Sequence, residues 1–215
     1  MPRRTDARMS RHRDTPATIG AMPKIVDHEQ RRADIISGLL RVVARDGIDA
    51  ATTRALAKEL GVATGSLWHY FSNFDTLVAE ATARVIDLVS TRIAERTTNV
   101  RGMAKFDAIM TELLPLDDVT RNEAVIIVNL WGRLSTRTVY FEWVGTIETW
   151  WEDLRAAMCE AVEDGELVPE TPVEELVQVF AAITHGQQVA HAAIPETPPE
   201  AHEAIVRTVL APWRA

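Results

Sequence analysis

Thr53, Arg54, Thr64, Gly65, Ser66, Trp68, His69 and Tyr70 bring hydroxyls, a guanidinium, a side-chain-free glycine and aromatic rings into one short stretch. Such groups suit a phosphate backbone and the edges of bases. Small and hydroxyl-bearing residues at a helix start approach anionic oxygens closely, and a guanidinium pairs with them. Nothing nearby reads as proton-transfer or nucleophilic machinery. The sequence has no nucleophile elbow, phosphate-binding glycine loop, paired-cysteine metal site or His-Glu-x-x-His. Glu148 and Glu152 stand one turn apart, which a solvated helix face explains.

The elements that must position these groups are legible. Thr52 can cap a helix start by accepting from an unpaired backbone N–H. Leu56 and Leu60 are four apart and share a face, and Ala57 keeps that helix slim where another must cross it. Gly61 suits the left-handed conformation that ends a helix. Val62, Leu67 and Phe71 give the turn and the next helix an apolar side. A helix-turn-helix is predicted, and its second helix is the kind that enters a major groove. A plain helical hairpin shares that pattern, so the flanks matter. Upstream, Asp27 and Gln30 form a capping pair for a helix to about Asp46, lined by Ile35, Ile36, Leu39, Leu40 and Val43 and ended by Gly47. Downstream, Asn73 caps a long helix carrying Leu77, Val78, Ala81, Val85, Leu88 and Val89.

The run from Gly47 to Leu77, GIDAATTRALAKELGVATGSLWHYFSNFDTL, closely resembles the TetR/AcrR family of one-component transcriptional regulators. The resemblance is specific over residues 28 to about 80 and loose beyond. It implies an all-helical homodimer that binds a palindromic double-stranded DNA operator, usually as a repressor released by a small molecule. By position, Thr53 and Arg54 begin the helix that touches the DNA backbone, and Thr64, Gly65, Ser66, Trp68 and Tyr70 lie on the reading helix, with His69 beside them. Three positions depart from the family pattern. Trp68 stands where Tyr is usual, so a phosphate contact there must use the indole N–H. Phe74 replaces a Lys that typically binds phosphate. Ala63 stands at a common Ser/Thr cap position, which leaves Thr64 as the capping candidate.

The net charge of -8 looks unfavourable for a nucleic-acid partner until it is divided along the chain. Residues 1–75 hold 12 Lys/Arg against 9 Asp/Glu, and residues 76–215 hold 11 against 22. A DNA-binding module needs a local basic face rather than a basic chain. Residues 1–22, with Arg3, Arg4, Arg8, Arg11 and Arg13, read as a disordered arm. An untethered tail or a misassigned start is favoured slightly over a phosphate or minor-groove contact. No apolar stretch suits a secretory signal or a membrane span. The single Cys159 can form no intrachain disulfide, and a cytoplasmic address is expected. No cofactor is expected.

Residues 23–75 are thus expected to be the DNA-binding domain and 76–215 a helical ligand-binding and dimerisation domain, an all-α chain of about nine helices. The helix after Asn73 is predicted to reach about Thr97. Further helices follow over about Met103–Leu114, Arg121–Ser135, Thr138–Asp164, Val173–Ala192 and Pro199–Leu210. The run Ala124–Trp131 is apolar on every side and predicts a centrally buried helix, although a buried strand fits the same run. Effector pockets are mostly apolar with a few fixed polar groups. The candidates are Phe106, Met110, Asn129, Trp131, Arg133, Trp150, Met158 and His185, and the tryptophans favour a hydrophobic or aromatic effector. Asn129 is the sharpest of these, since an amide in an apolar helix needs a partner; a neighbouring backbone carbonyl would serve equally. Dimerisation, implied by the resemblance to use the last two helices, has Val177, Phe180, Ala181, Gln188, Ala204, Ile205 and Val209 as candidates. Two rivals remain: a constitutive or architectural DNA-binding protein without a ligand and, more remotely, an α-helical enzyme.

Overall fold

Thr52 opens the second helix as its sequence predicts. Its hydroxyl accepts from the Ala55 N–H at 3.2 Å, and its extended backbone (φ -89°, ψ 159°) turns the chain into the helix. In the computed structural model, residues 24–134 and 141–215 are described; within them, the side chains of 24–27, 130–134 and 141–145 lie outside the described set. The chain is all-α. Its helices are α1 (Lys24–Asp46), α2 (Thr53–Leu60), a 3₁₀ helix (Thr64–His69), α3 (Phe74–Thr97), α4 (Gly102–Leu113), α5 (Asp118–Leu134), α6 (Phe141–Glu163), α7 (Val173–Ala193) and α8 (Pro199–Leu210). Among the described residues there is no strand, only an isolated antiparallel bridge between Leu167 and Arg214 that ties down the C-terminus.

Local chemistry sets most boundaries. Gly61 takes φ 65°, ψ 33°, and its N–H returns to the carbonyls of Ala57 and Lys58. A side chain there would be strained, so the turn depends on glycine. Asn73 caps α3, its Oδ1 accepting from the Thr76 N–H at 2.8 Å. Thr52→Ala should lower stability by about 1 kcal/mol, a drop of about 2–4 °C in the thermal midpoint. Calorimetry on the two proteins measures it, and an unchanged midpoint would deny the cap any role.

α1 crosses α2 closely at Gly38. A Cβ built there would lie 2.8 Å from Leu60 Cδ2 and 3.2 Å from Leu56 Cδ1. Leu39, Val42, Leu56, Leu67, Leu77 and Val78 close the N-terminal core beneath this crossing. The C-terminal core is built on α4, α6 and α7, where Phe106 and Phe180 meet edge to face at 5.0 Å and Leu154 and Met158 are fully buried. The long α3 belongs to both cores, contributing Leu77 and Val78 to one and Val85, Ile86, Val89 and Ile93 to the other.

Three expectations need correction. α1 begins at Lys24, so Asp27 lies inside the helix and cannot cap it; Gln30 instead donates to Asp34 at 3.2 Å along the same face. α5 is a helix, but it is not enclosed. Ala124 and Ile126 are buried, whereas Val125, Ile127, Val128 and Asn129 remain half-exposed, because α1, α3 and α7 cover only part of its circumference. Thr64 is not a cap either: the capping position falls on Ala63, which has no side-chain acceptor.

Candidate nucleic-acid interface and effector cleft

The 3₁₀ helix presents its residues in three rows, because its period of three residues places i and i+3 in line. Leu67 points into the core with 1% exposure. Gly65 and Trp68 form one outward row, and His69 lies exposed on the next. Thr64 is exposed at the helix start, and Arg54 and Lys58 are exposed on α2 beside it, while Thr53 is half-buried. Trp68 keeps 39% of its surface in solvent, an unusual state for an indole next to a core. Ser66 is half-buried and donates its hydroxyl to the Ala63 carbonyl at 2.6 Å, taking over the closure that a capping residue would provide.

Tyr70 departs from its expected outward placement. It ends the 3₁₀ helix half-buried, with its ring 4.9 Å from that of His28 on α1. Arg32, also on α1, donates to the Tyr70 carbonyl and pairs with Glu80 of α3, and its guanidinium lies 4.4 Å from the centre of the Phe71 ring. Arg32 thus clamps the end of the reading helix to both α1 and α3. Sequence reasoning missed it, because no local pattern links residues 32, 70 and 80. Phe74, where the family pattern has Lys, packs its ring against the core.

The effector candidates separate into distinct places. Trp150 and His185 meet on a narrow cleft of about 20 Å3, lined among the described residues also by Thr82, Ile86, Leu113, Ile127, Ile147, Trp151, Thr184 and Gln188. Trp150 donates from its indole to Ser90 Oγ at 3.0 Å, joining α6 to α3. Trp151 meets His185 edge to face at 5.9 Å, and burial lowers the His185 pKa, favouring the neutral ring. Gln188 donates to the Leu113 carbonyl at 3.0 Å. Thr184 is 1% exposed and its hydroxyl has no hydrogen-bond partner. Buried hydroxyls are rarely left that way, so the Thr184 Oγ is a polar group in an apolar cleft with capacity to spare.

The other candidates lie elsewhere. Phe106 and Met158 are core residues away from the cleft lining, and Met110 lines a surface groove of about 360 Å3 between α4 and α8. Asn129 is half-buried and donates to the Val125 carbonyl of its own helix at 2.7 Å, which satisfies the amide locally. The side chains of Trp131 and Arg133 lie outside the described residues.

Beside the cleft sits an ionic network that no motif announced. Arg92 donates to Glu112 at 2.6 Å and to Glu123 at 2.6 and 3.0 Å, and Arg96 also pairs with Glu112. Burial pushes the Glu123 carboxyl up, partly offset by Arg92. Glu112, Glu123, Ile127, Trp150 and Gln188 border a second cleft adjoining the first.

Residues 35–81 match the model of the bacterial regulatory proteins, tetR family. Its N-terminal helical module is of the TetR-family type. A curated relative, the HTH-type transcriptional regulator PksA of Bacillus subtilis, is 37% identical over 103 residues, 47% of this chain and 50% of that protein. The chain therefore spans about half the length of the curated relative it matches. The fold likeness extends further. A transcriptional regulator from Saccharomonospora viridis, solved in complex with choline, superposes with a TM-score of 0.77 at 14% identity, covering 85% of this chain and 96% of that one. The ketosteroid transcriptional regulator KstR2 of Mycobacterium tuberculosis superposes with a TM-score of 0.64 at 17% identity, covering 86% and 95%.

The dimer candidates divide by burial. Val177, Phe180 and Gln188 face the core, with 1%, 0% and 8% exposure, because α5 and α6 pack on α7 and α4 reaches Phe180 and Gln188 through Phe106 and Leu113. Ala181, Ala204 and Val209 are half-buried, and Ile205 is 44% exposed. The outward face of α7 carries Val179, Ala182, Gly186, Val189 and Ala193, all exposed. Their alternating spacing of three and four is that of a helix-pairing seam. Periodicity marked an apolar face on α7 but could not show that the helix has two of them.

Proposed function

We propose that this TetR-family protein is a homodimeric DNA-binding repressor, released from a palindromic operator by a small apolar or aromatic effector. Residues 23–75 form the DNA-binding module and 76–215 the effector and dimerisation module. Double-stranded DNA meets Thr64, Gly65, Trp68 and His69, with Ser66 and Tyr70 supporting the helix, while Thr53, Arg54 and Lys58 face the phosphates. The single observation that carries this reading is the outward row of Gly65 and Trp68 on a 3₁₀ helix whose other side is locked into the core by Leu67. The seam on α7, continued by Ile205 on α8, is the surface for a second copy. Two-fold pairing there matches a two-fold operator.

The effector enters the cleft at Trp150, Trp151, Thr184, His185 and Gln188. Its apolar body lies on the indoles and isoleucines, and Thr184 Oγ takes its polar group. On this fold, the Saccharomonospora viridis regulator holds choline and KstR2 is named a ketosteroid transcriptional regulator. A cleft of about 20 Å3 admits little more than one water, far below the roughly 300 Å3 of an occupied drug-sized site. Binding an effector therefore requires α3, α6 and α7 to part. α3 lines the cleft with Thr82 and Ile86 and is capped by Asn73, three residues after Tyr70 closes the reading helix. About 20 Å of rigid helix separate Asn73 from Ile86 at 1.5 Å per residue. Displacement at one end thus reorients the other. The effector shifts the equilibrium only by its preference for the parted form.

Footprinting on the chain's own upstream intergenic region, against a matched random duplex, tests the regulator reading. A protected palindrome with strong preference over random DNA is expected, whereas equal affinity for both would remove it. Once a releasing compound is in hand, Thr184→Val should weaken its affinity about tenfold at unchanged operator affinity, since the shape is kept and one hydrogen bond is lost. Isothermal titration of both proteins reads the difference; equal affinities would take Thr184 out of the site.

A further inference from the structure

Away from the effector cleft, α5, α7 and α8 meet around a buried polar cluster that the proposed function does not use. His191 on α7 is 4% exposed, His202 on α8 is 2% exposed, and Gln187 on α7 is 6% exposed. The two imidazoles meet edge to face at 6.3 Å, and His202 Nδ1 lies 2.6 Å from Gln187 Oε1. An amide oxygen only accepts, so Nδ1 carries the proton and Nε2 of His202 is bare in the neutral ring. Arg121, in the first turn of α5, has its Nε buried and acts electrostatically on both rings. Gln188 places this part of α7 against the end of α4 through its bond to the Leu113 carbonyl. Arg121 Nε, Gln187 Nε2, His191 Nδ1 and His202 Nε2 are all buried without a hydrogen-bond partner. Among the described residues, no carboxylate pairs with Arg121 or with either imidazole.

We propose that His191, His202 and Arg121 form a proton-sensitive latch, which holds α8 against α7 and α5 only while both imidazoles are neutral. A proton added to either ring would feel the positive charge of Arg121, next to the other ring, out of water and with no counter-ion among the described residues. Burial lowers the pKa of both histidines, and Arg121 lowers both further; His191 adds to the effect on His202. These are the titratable and charged groups that act on the pair from α5, α7 and α8. The sign follows from linkage. Unfolded, each ring titrates near its ordinary value of about 6.5; folded, it resists protonation. Stability from the latch is complete above about pH 6.5 and is lost as pH falls below that value, since the unfolded chain binds the protons more readily. Release of α8 would also dismantle the seam that Ile205 shares with α7, a consequence that rests on the dimer reading above.

The test has two arms on the full chain. In the first, thermal and urea unfolding of the parent and of His202→Gln are followed from pH 8 to pH 5.5. The parent should lose stability through this window, and the variant should take up about one proton fewer on unfolding. In the second, NMR follows the imidazole signals of the folded parent; those of His191 and His202 should titrate clearly below 6.5. This arm decides the matter if the variant does not fold. Titration of both rings near 6.5, or an unchanged pH dependence in a folded His202→Gln, would overturn the latch. Neither arm requires DNA or an effector, so failure of the latch is distinguishable from failure of the regulator reading.

Discussion

Glu112→Ala should destabilise the protein by about 3 kcal/mol and lower its thermal midpoint by about 6–12 °C. The side chain of Glu112 is 2% exposed and receives both Arg92 and Arg96. Removing it leaves two guanidiniums facing a cavity, and one of them cannot turn fully to water. The loss falls at the lower end of that for breaking a buried pair, because Arg96 is half-exposed and Arg92 keeps Glu123. Arg96→Ala alone should cost well under 1 kcal/mol, as for an exposed partner. A double-mutant cycle separates the two contributions. A loss below about 1 kcal/mol for Glu112→Ala would mean that the network is solvated in solution and holds nothing.

Trp68→Ala should weaken operator binding about thirtyfold, or about 2 kcal/mol, as expected for an indole central to an interface. Its ring is partly in solvent in the free protein, so the thermal midpoint should barely move. Arg54→Ala should act differently, lowering affinity for all sequences and reducing the salt slope by about one. Anisotropy titrations at two salt concentrations, with operator and random duplexes, distinguish the two. Parent-like operator affinity in Trp68→Ala would show that the exposed indole is not part of the reading surface. Tyr70 is a poorer probe, because removing its ring also disturbs the packing against His28.

The contrast between Trp68 and Tyr70 shows where sequence reading stops. Both are aromatic, two positions apart, each between His69 and an apolar residue, and nothing local tells them apart. The structure separates them because α1 supplies His28 and Arg32 on the Tyr70 side alone. The same holds on α7. The apolar positions of that helix fill more than one stripe, and only the placement of α5 and α6 decides that Val177 and Phe180 face inward while Val179 and Val189 remain outward.

What the sequence determined by itself is the course of the chain: the caps at Thr52 and Asn73, the stop at Gly61, the ends of α3 and α8, the all-α class and the TetR-family module. These depend on bonds and contacts between residues three or four apart, which composition and spacing record directly. The tertiary structure alone decided which distant groups converge. Arg92 reaches Glu112 and Glu123 across 20 and 31 residues, Trp150 reaches Ser90 across 60, and Gln188 reaches Leu113 across 75. Periodicity fixes the face on which a residue lies; what covers that face depends on how helices cross, and this is settled by the packing of whole helix surfaces rather than by any local run.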